Sequence, residues 1–192
     1  MNGLLLAGGE SRRMGYDKAA LEYPTASPGP IGAHLFGLLR PFCRDVFVSR
    51  RPGQPDLPFG RKLLDETAGI GPAAGLLAAY RREPVAWLVL ACDFPFAARD
   101  GLAFLIERRN PAKAATCYAS ADGRPEPFFA IWEPAAFRAL VGHPARGARA
   151  ALESVPIERL AAPAGNLLAN VNSRTEARSF GLGGDNAPNG RT

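Results

Sequence analysis

Cysteine is scarce: three stand at positions 43, 92 and 117, with no C-x-x-C pair. That excludes a disulfide scaffold and the common thiolate metal sites, and leaves reduced, buried thiols as the expectation. Such thiols fit a cytoplasmic location. Long apolar runs are also missing. The longest, VAWLVLAC at 85–92, is far shorter than the ~20 residues of a membrane span, so no membrane partner is expected. No basic region precedes the first apolar run, and that run is too short for a signal peptide. There is no dense Lys/Arg tract, and aromatic residues are not interleaved with basic ones, so no nucleic-acid partner is expected. The net charge of +5, from 23 Lys/Arg against 18 Asp/Glu, still suits an anionic ligand. Only two histidines occur, His34 and His143, and both read as ordinary surface or helix residues. No internal repeat is visible.

What is present is the material of one domain. The chain has 192 residues, 47% of them apolar, enough for a sizeable core. Apolar runs alternate with amphipathic segments, the pattern of an α/β protein with a largely parallel sheet. The runs predict strands at 3–7, 45–49, 61–64, 86–91, 113–119 and 127–132. The amphipathic segments predict helices at 31–41, 72–82, 99–109, 134–141, 146–154 and 173–180. Pro72 after Gly71 reads as a helix start. Residues 1–180 are read as the domain. Residues 181–192, with almost no apolar content, are read as a fraying tail.

The chemistry concentrates after the first strand, in LLLAGGESRRMGYDKAAL at 4–21. Gly8 and Gly9 permit a sharp turn and a close approach of backbone N–H groups to a ligand. A run of such groups forms an anion-binding concavity, here leaving the carboxyl edge of a strand where ligands bind in α/β sheets. Arg12, Arg13 and Lys18 add positive charge. The loop reads as a polyphosphate cradle. It is neither a Walker A loop, because Gly15 is followed by Tyr16, Asp17 and Lys18, nor a dinucleotide fingerprint, because G-x-G-x-x-G is absent.

The same stretch resembles the signature LAGGxSxRMGxDKxL of the nucleotidyltransferases that build the molybdenum cofactor dinucleotide, the guanylyltransferase branch most closely. The cytidylyl relative typically reads LAAG where this chain has Leu6, Ala7, Gly8 and Gly9. The resemblance implies a three-layer, Rossmann-like nucleotidyltransferase domain with a mostly parallel central sheet. It also implies that Leu6, Ala7, Gly8 and Gly9 bind the nucleotide, with Arg13 and Lys18 on the triphosphate in catalytic roles.

Two further segments carry the resemblance. LLDETAGIGPAAGLLAAY at 63–80 resembles the family's D-x-x-x-x-x-GPLAG segment beside the nucleoside, with Ala73 where leucine is usual. Asp65 there can accept hydrogen bonds from a guanine edge or a ribose hydroxyl, although a loop or capping carboxylate is the plain alternative. Gly71 and Gly75 are expected to allow close packing under the nucleotide. WLVLACDFPF at 87–96 runs an apolar strand into Asp93. Mg²⁺ prefers one or two carboxylates plus substrate phosphates, and a capping Asp before Pro95 is the alternative. The segment resembles the family's CD-x-P-[FY], which makes Asp93 the implied metal ligand and Mg²⁺ the implied cofactor.

The far half is read more loosely. GRPEPFFAIW at 123–132 resembles the strand after the family's pterin-side loop, which implies Arg124 and Glu126 facing the acceptor, with an ordinary solvated loop as the alternative. RGARAALES at 146–154 resembles a loop and helix near the pterin phosphate, which implies Arg146 and Arg149 there, with a plain charged helix face as the alternative. ANVNSRTEA at 169–177 resembles the closing NVNTPE motif, with Asn170 and Asn172 turned to the site, while Ser173 and Glu176 read as a capping box. Ser49 stands where many relatives carry an asparagine. The resemblance implies transfer of GMP from GTP to molybdopterin. Alternatives left open are cytidylyl transfer to the same pterin, transfer to a sugar phosphate, and a non-catalytic nucleotide-binding carrier. A monomer is expected, in transient contact with other molybdenum cofactor proteins.

Overall fold

Asn2–Leu6 (β1) is buried at all five positions, as is Trp87–Ala91 (β4). A strand covered on both faces reads as a continuous apolar run rather than an alternating one, which is why both were visible in the sequence. Val46–Arg50 (β2) is buried throughout, whereas Arg61–Leu64 (β3) is mostly exposed. Arg61 and Lys62 on that short strand are the charges that protect a sheet edge from pairing with another chain. Ala115–Ala119 (β5), Pro125–Trp132 (β6) and Glu158–Ala161 (β7) complete the sheet. The computed structural model describes residues 1–8, 18–21, 29–65, 67, 69–163, 165–171, 176, 179, 180 and 182.

The seven strands lie in the order β3-β2-β1-β4-β6-β5-β7. β1 pairs in parallel with β2 and β4, and β2 with β3. β6 is antiparallel to both its neighbours, β4 and β5, and β7 is parallel to β5. Helices Ile31–Leu39 (α1) and Arg99–Glu107 (α3) pack together on one face. Helices Ala73–Arg82 (α2), Pro134–Gly142 (α4) and Gly147–Glu153 (α5) pack together on the other. The three-layer α/β reading therefore holds.

Aromatic rings fill both interlayer spaces. Tyr80 of α2 stacks on Phe137 of α4 at 5.1 Å, and Phe137 meets Trp132 at 5.3 Å. On the opposite face Phe104 of α3 stacks on Tyr118, which meets Phe129 edge-on at 5.3 Å. Such pairs add about 0.5–1.5 kcal/mol each beyond the area they bury. Tyr118 is wholly buried, and its hydroxyl donates to the Gly101 carbonyl at 2.7 Å, so its polar end is not stranded. Among the described residues no helix is long and apolar enough to cross a membrane.

Five of the six predicted helices and all six predicted strands occur at their expected places, within a few residues. The sixth helix, at 173–180, lies mostly outside the described residues. The sheet has one strand more than expected. β7 alternates between half-buried and exposed positions over only four residues, too short and too polar to stand out as a strand. Leu182, placed in the tail by its sequence, is 6% exposed and belongs to the core. Residues 183–192 lie outside the described residues.

Candidate active site

Because β1, β2, β3 and β4 are parallel, their carboxyl ends share one edge of the sheet. The chain goes left from β1 to β2 and β3, then returns to place β4 on the other side of β1. That reversal opens a crevice beside β1, the usual ligand position in an open α/β sheet. Gly8, Asp65 and Asp93 all follow strands that end there.

Gly8 and Asp65 meet. A Cβ at Gly8 would lie 2.7 Å from Asp65 Oδ2, closer than side-chain carbons tolerate. Ser49 Oγ donates to the same Oδ2 at 3.3 Å. The Asp65 N–H donates to the Arg50 carbonyl at 3.0 Å, and the Ala7 N–H to the Ser49 carbonyl at 3.3 Å. Leu6 and Ala7, the start of the loop, are 7% and 5% exposed. Below them Gly75 brings α2 against the sheet: a Cβ there would sit 2.5 Å from Ser49 Oγ and 2.6 Å from Leu6 Cδ2. Close packing thus falls to Gly75. Gly71, expected to share it, has open space around its missing side chain and a φ of +56°, so it serves the turn into α2.

Asp65 is buried, and burial pushes its carboxyl above the ordinary range. The Ser49 hydroxyl, its own backbone N–H, and the charges of Arg51 and Arg50 pull the other way. Its Oδ1 has no hydrogen-bond partner among the described residues. A buried acceptor without a donor costs about 1–3 kcal/mol, so the atom is chemically suited to a ligand O–H or N–H. A test follows from the sign. With a raised folded pKa the native state keeps its proton longer than the unfolded chain, so stability falls as pH rises through that window. Asp65→Asn should therefore melt higher than wild type at neutral pH and alike in acid. Thermal melts across that range check this, and a variant melting lower at neutral pH would refute it.

Asp93 extends the edge. The Cys92 N–H donates to the Leu6 carbonyl at 3.1 Å, carrying the β1–β4 ladder one step past the strand. The Asp93 carbonyl accepts from the Val171 N–H at 2.9 Å, which brings the Asn170 segment to the same end of the sheet. Asn170 itself is exposed. Across the sheet, β6 enters at this edge because it is antiparallel. That brings Glu126, the second residue of β6, within electrostatic reach of Asp93. Glu126 is 8% exposed. Burial raises its carboxyl and the Asp93 charge raises it further, while the Phe128 N–H and Arg149 lower it. Arg149 Nη2 lies 3.6 Å from Glu126 Oε2, and its Nε donates to the Pro125 carbonyl at 3.2 Å. Arg124 pairs instead with exposed Asp122 at 3.1 Å.

The model of the MobA-like NTP transferase domain matches residues 3–161. The chain belongs to this family. Among similar proteins, a probable molybdenum cofactor guanylyltransferase of Mycobacterium avium is 33% identical over 192 residues, covering 93% of each chain. A molybdenum cofactor biosynthesis bifunctional protein of Synechocystis is 38% identical over 144 residues, which is 71% of this chain and 40% of that one. The chain thus spans less than half of the bifunctional protein. The solved structure of molybdopterin-guanine dinucleotide biosynthesis protein A from Archaeoglobus fulgidus shares the fold, with a TM-score of 0.73 at 20% identity over 93% of this chain and 96% of that one.

In this MobA-like domain the sequence-named groups divide. Leu6, Ala7, Gly8, Asp65, Gly71, Asp93 and Asn170 all lie on loops or strand ends at the one edge. Gly9, Arg13, Asn172 and the Lys18 side chain lie outside the described residues. The proximity of Glu126 to Asp93 was not readable beforehand, because it needs the direction of β6. The oxygen donors present, a half-buried carboxylate at a strand end with a second within electrostatic reach, are of the kind a hard divalent cation takes. Such a site leaves coordination positions for phosphate oxygens. Burial pushes the Cys43 and Cys117 thiols up to about 12, and Cys92 is buried.

Proposed function

We propose that the protein transfers GMP from GTP to molybdopterin, releasing pyrophosphate. One observation supports guanine over cytosine: the space beside Gly8 is already filled by Asp65 Oδ2, 2.7 Å from where a Cβ would be. The alanine typical of the cytidylyl relative at this point cannot enter unless Asp65 moves.

In this reading a terminal phosphate oxygen of molybdopterin attacks the α-phosphorus of GTP in line. The new P–O bond forms as the bond to the β-phosphate oxygen breaks, and its electron pair leaves on pyrophosphate. No covalent enzyme intermediate is needed; alignment and charge stabilisation suffice. The N–H groups of Gly8 and Gly9, with Arg13 and Lys18, hold the triphosphate and its departing half. Asp65 accepts donors of the nucleoside through Oδ1. Asp93 would hold Mg²⁺, with Glu126 nearby, and Asn170 and Asn172 close the site. When bound, the cation polarises the α-phosphate and offsets charge on both reactants.

Thermal melts with Mg²⁺ and each of GTP, CTP, ATP and UTP test the reading. GTP at about 100 times its Kd should add about 2.7 kcal/mol. Equal shifts for all four would sink the guanine assignment, and a preference for CTP would move the activity to the cytidylyl branch. Lys18→Ala and Arg13→Ala should each weaken GTP binding by about 1.5–3 kcal/mol, the loss of a charge-assisted contact, with the fold retained. Titration calorimetry checks both, and wild-type affinity would remove that residue from the cradle.

A further inference from the structure

β2 ends on a charge that is almost completely buried. Arg50 is 1% exposed, at the end of the run Val46–Arg50. Burying a guanidinium costs several kcal/mol unless its donors find acceptors, so a strand position that only needed packing would hold an apolar residue. Arg50 Nη1 donates to the Ala7 carbonyl at 3.1 Å, and Nη2 donates to the Pro55 carbonyl at 2.9 Å. The Arg50 main-chain carbonyl in turn accepts from the Asp65 N–H at 3.0 Å. One residue therefore joins the exit of β1, the Pro/Gly-rich loop after β2 and the exit of β3.

We infer that Arg50 is a positioning residue for nucleotide binding: its guanidinium sets the peptide that enters the glycine loop, while its carbonyl seats Asp65. The Ala7 carbonyl and the Gly8 N–H belong to one planar peptide unit. No cis peptide occurs among the described residues, so the two groups point in opposite directions. Holding the carbonyl against the Arg50 guanidinium therefore also fixes the direction of the Gly8 N–H, away from that guanidinium. A fork of two N–H donors suits this task, because it fixes two carbonyls at once. Ser49, the preceding residue, faces α2 and binds the Asp65 side chain. Successive residues of β2 thus hold the phosphate side and the nucleoside side of the crevice. The inference rests on the reading that a nucleoside triphosphate lies on the glycine loop.

The test uses the full chain with Arg50→Met and Arg50→Lys, and reads GTP and inorganic tripolyphosphate Kd, KM and kcat. Arg50→Met should raise both Kd values about tenfold or more. The loss should appear in KM for GTP, with kcat at saturation and KM for molybdopterin changing less than about threefold. Arg50→Lys keeps the charge without the fork and should fall between. A merely structural arginine would lower the melting temperature and leave the Kd of the folded protein unchanged, and that result overturns the inference. If Arg50→Met does not fold, Gln54→Ala decides. Its Oε1 accepts from the Arg51 N–H at 2.8 Å and closes the turn that presents Pro55. That variant should raise the GTP Kd two- to threefold, on the order of one weak hydrogen bond, and an unchanged Kd overturns the inference. A wild type that binds no nucleoside triphosphate refutes the function itself. A wild type that binds GTP beside variants that bind it equally refutes only the role of Arg50.

Discussion

Asp93→Asn is expected to cut GMP transfer by on the order of 10³-fold while leaving the chain folded, because several kcal/mol of transition-state stabilisation go with the metal. The amide keeps the shape of the side chain and removes the charge that would hold Mg²⁺ against the phosphates. The main-chain tie to Asp93 is untouched: the Val171 N–H still finds its carbonyl. GTP binding should weaken far less than turnover, since the glycine loop and the basic residues remain. Removing the charge also relieves the repulsion felt by buried Glu126, so the variant should be no less stable. Single-turnover transfer from labelled GTP, with circular dichroism for folding and calorimetry for GTP, measures all three. A folded variant that transfers GMP near the wild-type rate would make Asp93 a cap. The search for a metal ligand would then turn to Glu126.

The second large effect is expected at Gly8. Gly8→Ala puts a carbon 2.7 Å from Asp65 Oδ2 and 3.5 Å from the Arg51 nitrogen. The carboxylate must move, which strains or breaks its hydrogen bond from Ser49. Overpacking of this kind costs about 1–3 kcal/mol of stability. Because Asp65 is proposed to receive the nucleoside, its displacement should also weaken GTP binding about tenfold or more. A double-mutant cycle isolates the cause. In Gly8→Ala with Asp65→Ala the clash has no partner, so the paired loss should be smaller than the sum of the two single losses. Additive losses, or wild-type GTP affinity in Gly8→Ala, would show that the contact does not govern the site.

Much of the candidate edge was legible in the chain. Each group follows a strand that was visible in the sequence: Gly8 after β1, Asp65 after β3 and Asp93 after β4. In parallel strands, residues at corresponding ends necessarily meet at one edge, so local pattern and strand direction together bring these residues to the same end of the sheet. Glu126 was less legible. Its sequence neighbourhood, GRPEPFF, reads as a polar turn before a strand, and only the antiparallel entry of β6 brings it within electrostatic reach of Asp93. Arg50 was passed over because it continues into Arg51 and a Pro/Gly-rich loop, where a charge reads as exposed.

By itself the sequence determined the α/β class, the buried central strands and the acids that follow the strands. These depend on side-chain type and spacing over a few residues, and the chain carries them directly. The tertiary structure decided the direction of β6, the pairing of β7 with β5, the burial of Arg50 and the contact of Gly8 with Asp65. The physical reason is separation along the chain. Thr116 pairs with Glu158, and the Arg50 guanidinium finds a carbonyl 43 residues away at Ala7. Such contacts depend on which surfaces remain to be covered once the core has formed, and no window of neighbouring residues contains that information.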